Sequence, residues 1–219
     1  MPAEGIVVHD RTHIAIVVGG GPLSERASSL ASQCWVIAAD SGIDHALAAG
    51  LEPHLLVGDL DSVSAEGLDW ARENSVPIQT HPADKDRTDT ELALVAAAVM
   101  RPERLTVVSG TGDRLDHLLG ILLALGSETL DGIEVDAVIG TTLAVIVRPG
   151  RAVAIPVAAG ATFSVLALHG PATGVTLTGA HWPLTHADLS PTVALGLSNI
   201  AEESPMLTVT SGLVTALVP

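Results

Sequence analysis

The segment CWVIAADSGIDHALAAGLEPHLLVGDLDS, Cys34 to Ser62, decides the fold. It opens on an apolar run, Cys34 to Ala39, that stops at Asp40-Ser41-Gly42. A short helix-compatible stretch, Ile43 to Ala49, follows and ends at Gly50. A second apolar run, His54 to Val57, then stops at Gly58-Asp59-Leu60-Asp61. Neither run alternates apolar with polar residues, as a half-solvated strand would. Continuous apolar strands joined by a helix predict a mostly parallel sheet covered on both faces.

The same grammar extends in both directions. Upstream, His13 to Val18 reads as a strand closed by Gly19-Gly20-Gly21-Pro22, and Ser24 to Ser32 as a helix. Downstream, helices are predicted over Ser64 to Asn74, Thr88 to Met100 and Asp116 to Leu125, with strands at Val76 to His81, Leu105 to Val108 and Glu134 to Ile139. Thr88-Asp89-Thr90-Glu91 has the form of a capping box with an acid in the first turn.

After about Gly140 the pattern changes to short β-like runs separated by Gly, Pro, Thr and Ser. These are Val145 to Val147, Ala152 to Val157, Thr162 to Leu168, Val175 to Thr178, Thr192 to Leu197 and Met206 to Val218. The expected organisation is an α/β N-terminal domain with a mostly parallel, Rossmann-like sheet over residues 1–142. An all-β, sandwich-like C-terminal domain over residues 143–219 follows it.

Composition narrows the functional classes. The 219 residues are 47% hydrophobic, with three Trp, one Phe and no Tyr, so the core must be aliphatic. The net charge of −15 disfavours nucleic acid as a partner, because backbone phosphates need neutralising cations. A single cysteine, Cys34, excludes an intrachain disulfide and zinc-finger spacing. No basic, apolar leader opens the chain, and no apolar stretch reaches the roughly 20 residues of a membrane helix. A cytoplasmic protein without membrane contact is the expectation.

In open parallel sheets, ligands bind beyond the carboxyl ends of the strands. Four loops deliver carboxylates there: Asp40, then Asp59 and Asp61, then the run Asp84 to Asp89, then Asp113 and Asp116. One acidic loop is ordinary turn chemistry. Four on one edge repel unless a cation sits among them, and Mg²⁺ favours carboxylate, water and phosphate oxygens. If the extended conformation continues through Leu60, Asp59 and Asp61 face the same way. Lys85, Arg87 and Arg114 supply cations that a polyphosphate needs beside its metal. The residues alone therefore indicate metal-assisted chemistry on a nucleotide or another polyphosphate. The aspartate pair by itself is also compatible with a nucleotide-sugar glycosyltransferase, or with a phosphatase using its first Asp as nucleophile.

ADSGIDHALAAGLEPHLLVGDLDS (39–62), DKDRTDTELAL (84–94), GTGDRLDHLLGILLAL (110–125) and GAHWPLTHADLSPTVALGLSN (179–199) together resemble the thiamine pyrophosphokinase (thiamine diphosphokinase) family. The usual family motif is GDFDS, where this chain has Leu60, and Asp40 is commonly followed by Gly, where this chain has Ser41. The resemblance implies transfer of a pyrophosphoryl group from ATP to thiamine with release of AMP. It also implies an α/β catalytic domain, a β-sandwich domain and a homodimer with shared active sites. By motif, Asp40, Asp59, Asp61 and Asp89 form the catalytic and Mg²⁺-binding cluster, and Lys85, Thr88, Arg114 and Asp116 line the nucleotide and phosphate site. The resemblance further implies that Trp182 stacks on thiamine, with Ser198 and Asn199 near its pyrimidine ring. A glycosyltransferase leaves the segment around Trp182 unexplained. A non-catalytic thiamine-binding module has no need of the acids.

Overall fold

The computed structural model describes residues 11–84, 86–112 and 114–219, so Lys85 and its expected phosphate role lie outside the described residues. The chain divides into two compact units, Met1–Asp113 with Asp131–Glu134, and Arg114–Leu130 with Val135–Pro219.

The first unit carries β1 (His13–Val17), β2 (Trp35–Ala39), β3 (Leu55–Gly58), β4 (Ile78–Thr80) and β5 (Arg104–Ser109). Their order is β5-β1-β2-β3-β4, and all four pairings are parallel. Four helices connect them: α1 (Glu25–Ala31), α2 (Gly42–Ala48), α3 (Ala65–Glu73) and α4 (Asp89–Val99). Every residue of β2 and β3 is buried, which is why these strands read as unbroken apolar runs. Ile14, Ile16, Ile37, Leu56 and Leu105 are fully buried in this core. Trp35 joins them and stacks on His54, with ring centroids 5.3 Å apart. Helix starts are fixed by side chains. The Ser24 hydroxyl accepts from the Ala27 N–H, the Ser64 hydroxyl from the Gly67 N–H, and Thr88 and Glu91 form the predicted capping box.

The second unit is β-rich and antiparallel. It comprises α5 (Leu115–Ala124) and β6 (Glu134–Ile139), β7 (Thr142–Val147), β8 (Val153–Ala154), β9 (Thr162–Leu166), β10 (Ala172–Ala180), β11 (Leu184–Leu189), β12 (Gly196–Thr208) and β13 (Val214–Val218). The order is β6-β7-β13-β9-β12-β10-β11, with β8 also pairing to β12. The long β12 pairs with β9 through its first half and with β10 through its second.

One expectation for this half is corrected, and one strand goes unforeseen. Among the described residues, 143–219 hold strands and no helix, and α5 clusters with them in the second unit. The His169 Nε2 lies 2.9 Å from the Leu122 carbonyl, and the Arg148 guanidinium donates to the carbonyls of Leu125 and Ser127, satisfying the end of α5. The run from Met206 to Val218 is two strands, divided at Gly212, whose φ of +79° and contact with the Pro171 carbonyl leave no place for a side chain. Finally, β11 escapes an apolar reading because its LTHADL sequence is largely exposed and polar. Among the described residues no helix is long and apolar enough to cross a membrane.

Candidate active site

The acidic cluster is built where β2 and β3 end. The backbone N–H of Asp40 donates to the Val57 carbonyl at 2.8 Å, extending the β2–β3 pairing by one residue. The chain then turns sharply, with Asp40 at φ +48°, and enters α2. On the neighbouring strand Gly58 has φ +156°, and a Cβ there would sit 3.1 Å from the Asp40 Cβ and 3.2 Å from the Asp89 Oδ1. Only glycine lets these two acids approach across β3.

The expectation of an extended Leu60 is corrected. Leu60 has φ +68°, so strand periodicity does not align Asp59 with Asp61. A turn does so instead: the Asp59 Oδ1 accepts the Asp61 N–H at 3.3 Å, in the manner of an Asx turn. The Leu60 side chain meanwhile packs against the buried cluster of Ala38, Ile43, Leu56 and Ala71, as does Val63. The loop is anchored by its apolar residues while its two acids remain outside. The Ser62 hydroxyl donates to the Asp61 Oδ1 at 2.8 Å.

Asp40, Asp59 and Asp61 each offer a carboxylate oxygen, and these oxygens lie within 4.8 Å of one another. Asp40 is 9% exposed, and its Oδ1 is buried with no hydrogen-bond partner. Burial raises the Asp40 carboxyl above the ordinary carboxylate range, and the charges of Asp89, Asp59 and Asp61 push it the same way, against a backbone hydrogen bond from Ser41. A buried, partnerless oxygen facing three further acids fits a hard divalent cation, which would satisfy it and relieve the repulsion. The site residues thus fit Mg²⁺ by charge, donor type and spacing.

Asp89 is the first residue of α4, and Thr88 is its N-cap. The Thr88 hydroxyl accepts the Glu91 N–H at 3.2 Å and donates to the Glu91 carboxylate at 2.9 Å. At the carboxyl ends of β1 and β5, which pair in parallel, the following loops meet backbone to backbone. A Cβ at Gly110 would collide with Gly20 and Gly21, and the Ser109 hydroxyl donates to the Gly19 carbonyl at 2.8 Å. The sequence treated Gly19-Gly20-Gly21 as a simple turn, and nothing local signals its distant partner.

The other expected site residues lie in the second unit. Arg114 grips Asp116 through two hydrogen bonds, at 3.2 and 2.5 Å, on an exposed surface. That bond, with the guanidinium charge, holds the Asp116 carboxyl below its usual range. Trp182 is 56% exposed and stands edge-on to His181, with centroids 4.6 Å apart. Buried Asn199 fixes its backbone: Oδ1 accepts the Trp182 N–H at 3.2 Å and the Ile200 N–H at 2.8 Å, while Nδ2 donates to the Trp182 carbonyl at 2.7 Å. Ser198 adopts φ +59°, and its N–H donates to the Ser164 hydroxyl.

Residues 27–135 match the family model described as thiamin pyrophosphokinase, catalytic domain, and residues 152–214 match that of its vitamin B1 binding domain. A thiamine pyrophosphokinase of Bacillus subtilis is 30% identical over 107 residues, a match spanning 48% of this chain and half of that protein. A crystal structure of thiamine pyrophosphokinase from Bacillus subtilis superimposes with a TM-score of 0.79 at 24% identity, covering 94% of this chain and 98% of the other. A family protein from Enterococcus faecalis gives 0.76 at 27% identity, with the same coverage of both chains. The Candida albicans enzyme shares the fold at 12% identity, with a TM-score of 0.77 over 95% of this chain and 90% of its own.

Proposed function

Since the chain belongs to the thiamine pyrophosphokinase family, we propose that it transfers the diphosphoryl group of ATP to the hydroxyl of thiamine, giving thiamine diphosphate and AMP. The observation that carries this reading is the cluster of Asp40, Asp59 and Asp61 around a buried, partnerless carboxylate oxygen. The parallel sheet supports a Rossmann-like nucleotide-binding half, and the antiparallel strands a sandwich-like half for thiamine.

Asp40, Asp59 and Asp61 would hold Mg²⁺, with Asp89 beside them. When bound, the ion offsets phosphate charge and so favours the displacement. The thiamine hydroxyl oxygen bonds to the β-phosphorus of ATP while the bond from that phosphorus to the α–β bridging oxygen breaks. AMP leaves with the electron pair, and the hydroxyl proton passes to a carboxylate of the cluster. Positioning and charge stabilisation supply most of the acceleration in such transfers. Lys85 and Arg114, the latter oriented by Asp116, would balance negative charge on the phosphates. Thr88 acts by fixing the first turn of the helix that carries Asp89. Trp182 would stack on the cationic thiazolium or the adjoining ring, with Ser198 and Asn199 completing the thiamine pocket.

We further infer a cytoplasmic homodimer with active sites that draw on both subunits. Leu115, Leu119 and Leu123 lie one helical turn apart on α5, and each is at least half exposed. The second unit carries few of the chain's charges, six acids against three arginines, so like-charged copies repel least through it. The functional test is incubation with ATP, Mg²⁺ and thiamine. AMP and thiamine diphosphate in equal amounts are expected; ADP or free phosphate as the product would overturn the reading.

A further inference from the structure

Asp44 lies in α2, one helical turn beyond Asp40, and its carboxylate does not join the acidic cluster. Both of its oxygens turn instead to Ser64, the N-cap of α3: Oδ2 accepts the Ser64 N–H at 3.0 Å, and Oδ1 accepts the Ser64 hydroxyl. That hydroxyl in turn accepts the Gly67 N–H at 2.9 Å. A Cβ on Gly67 would fall on the Asp44 Oδ1, so the first turn of α3 is seated directly on this carboxylate.

These bonds close a circuit. At one end the Asp40 N–H is tied to the Val57 carbonyl, just before Asp59. At the other, Asp44 is tied to Ser64, just after Asp61. The N-cap Ser41 and the first turn of α2 separate Asp40 from Asp44, and a loop with Leu60 at positive φ separates Gly58 from Ser64. A helix turn is stiff, so whatever fixes Ser64 to Asp44 fixes the loop's acids relative to Asp40. A carboxylate suits this task, since it accepts two bonds at once and charge-assisted bonds are short and strong.

We propose that Asp44 is a positioning residue that sets the spacing between Asp40 and the pair Asp59 and Asp61, and so the affinity of the cluster for a divalent cation. The inference rests on the metal-binding reading of that cluster. Outer groups that orient metal ligands typically change affinity by about 10–100-fold when removed. Asp44→Ala should therefore weaken binding of Mn²⁺ by about that factor. Mn²⁺ serves as the probe, read without nucleotide from loss of the free-ion electron paramagnetic resonance signal. Asp44→Leu keeps the bulk of the side chain but no acceptor and should weaken Mn²⁺ as much as alanine does, an outcome that a mere packing role would not produce. Gly67→Ala attacks the same contact from the other side, by displacing the carboxylate with a methyl group, and should weaken Mn²⁺ as well. It also serves if Asp44→Ala does not fold. Folded Asp44→Ala or Gly67→Ala with wild-type Mn²⁺ affinity overturns the tether. Absence of Mn²⁺ binding in the wild type, or undiminished binding in Asp61→Asn, overturns the metal reading and this inference with it.

Discussion

Asp40→Asn should stabilise the metal-free protein while removing its response to Mg²⁺. The wild-type carboxylate is buried, has an oxygen without a partner, and faces three other acids. An amide of the same shape removes the desolvated charge and can donate to a neighbouring carboxylate. Relief of such a functional-site conflict commonly gives about 0.5–2 kcal/mol. For a chain of this length, 1 kcal/mol moves the melting temperature by about 2–4 °C. The pH dependence has a definite sign. The folded carboxyl titrates above its unfolded value of 3.8, so the folded state holds more protons between those two points. Stability therefore falls as pH rises through that window, and the advantage of Asp40→Asn is absent below it and complete above it. Saturating Mg²⁺ reverses the ranking. An ion present at 100 times its dissociation constant stabilises the wild type by about 2.7 kcal/mol, and the variant by much less. Differential scanning fluorimetry in EDTA and in Mg²⁺, from pH 3.5 to pH 8, tests all three statements. A variant that melts below the wild type in EDTA at neutral pH refutes the reasoning, since the Asp40 charge would then not oppose folding.

Asp61 is exposed, so Asp61→Asn should leave the melting temperature in EDTA within about 2 °C of wild type, as surface changes generally do. Turnover should fall by at least about 100-fold, the scale of removing one electrostatic contact to a transition state, as a coupled AMP assay would show. Trp182→Ala should raise the thiamine KM tenfold or so, a loss of about 1–2 kcal/mol of cation–π contact, and leave the ATP KM nearly unchanged. Asn199→Ala should add a stability loss of about 1–3 kcal/mol to that kinetic defect, because it leaves the Trp182 N–H and carbonyl without partners. Leu119→Glu, placed in the middle of the apolar stripe of α5, should convert a dimer to monomers in sedimentation velocity; a dimer that persists would locate the interface elsewhere.

The first unit was legible because its physics is local. Four of its strands, β1, β2, β3 and β5, are buried and read as nearly continuous apolar runs, while the edge strand β4 is exposed, and the capping residues Ser24, Ser64 and Thr88 each announce a helix. The second unit was less legible because its determinants are distant. β11 gains its place by pairing with β10, not from its own polar residues. The turn that separates β12 from β13 is enforced by the close approach of Gly212 to Pro171, forty-one positions earlier in the chain. The aspartates of the site were visible as strand-end acids, and Trp182 as an aromatic in an aromatic-poor chain. The bonds that hold them were not, since Asn199 reaches seventeen residues back to Trp182 and Asp44 twenty residues forward to Ser64.

The Asp59-Leu60-Asp61 triplet shows how a right pairing can follow from a wrong geometry. Alternation along an extended strand puts two acids on one side, and the acids are indeed together. Yet the strand has ended by Leu60, whose φ of +68° is costly for a branched side chain. That cost, with the positive φ at Asp40 beside it, is offset by burying Leu60 and Val63 against the core shared by β2, β3, α2 and α3. The apolar residue between the two acids is thus the anchor of the loop and not a spacer. Leu60 fills a pocket beneath the two carboxylates. Truncation to alanine should cost about 1–3 kcal/mol, less than for a fully buried leucine because Leu60 is only partly covered. It should also loosen the cluster, so Leu60→Ala is expected to weaken Mn²⁺ together with stability. Leu60→Phe, if the pocket accepts the ring, should preserve both. Loss of stability with Mn²⁺ affinity intact would show instead that the Asx turn holds the two carboxylates without help from the core.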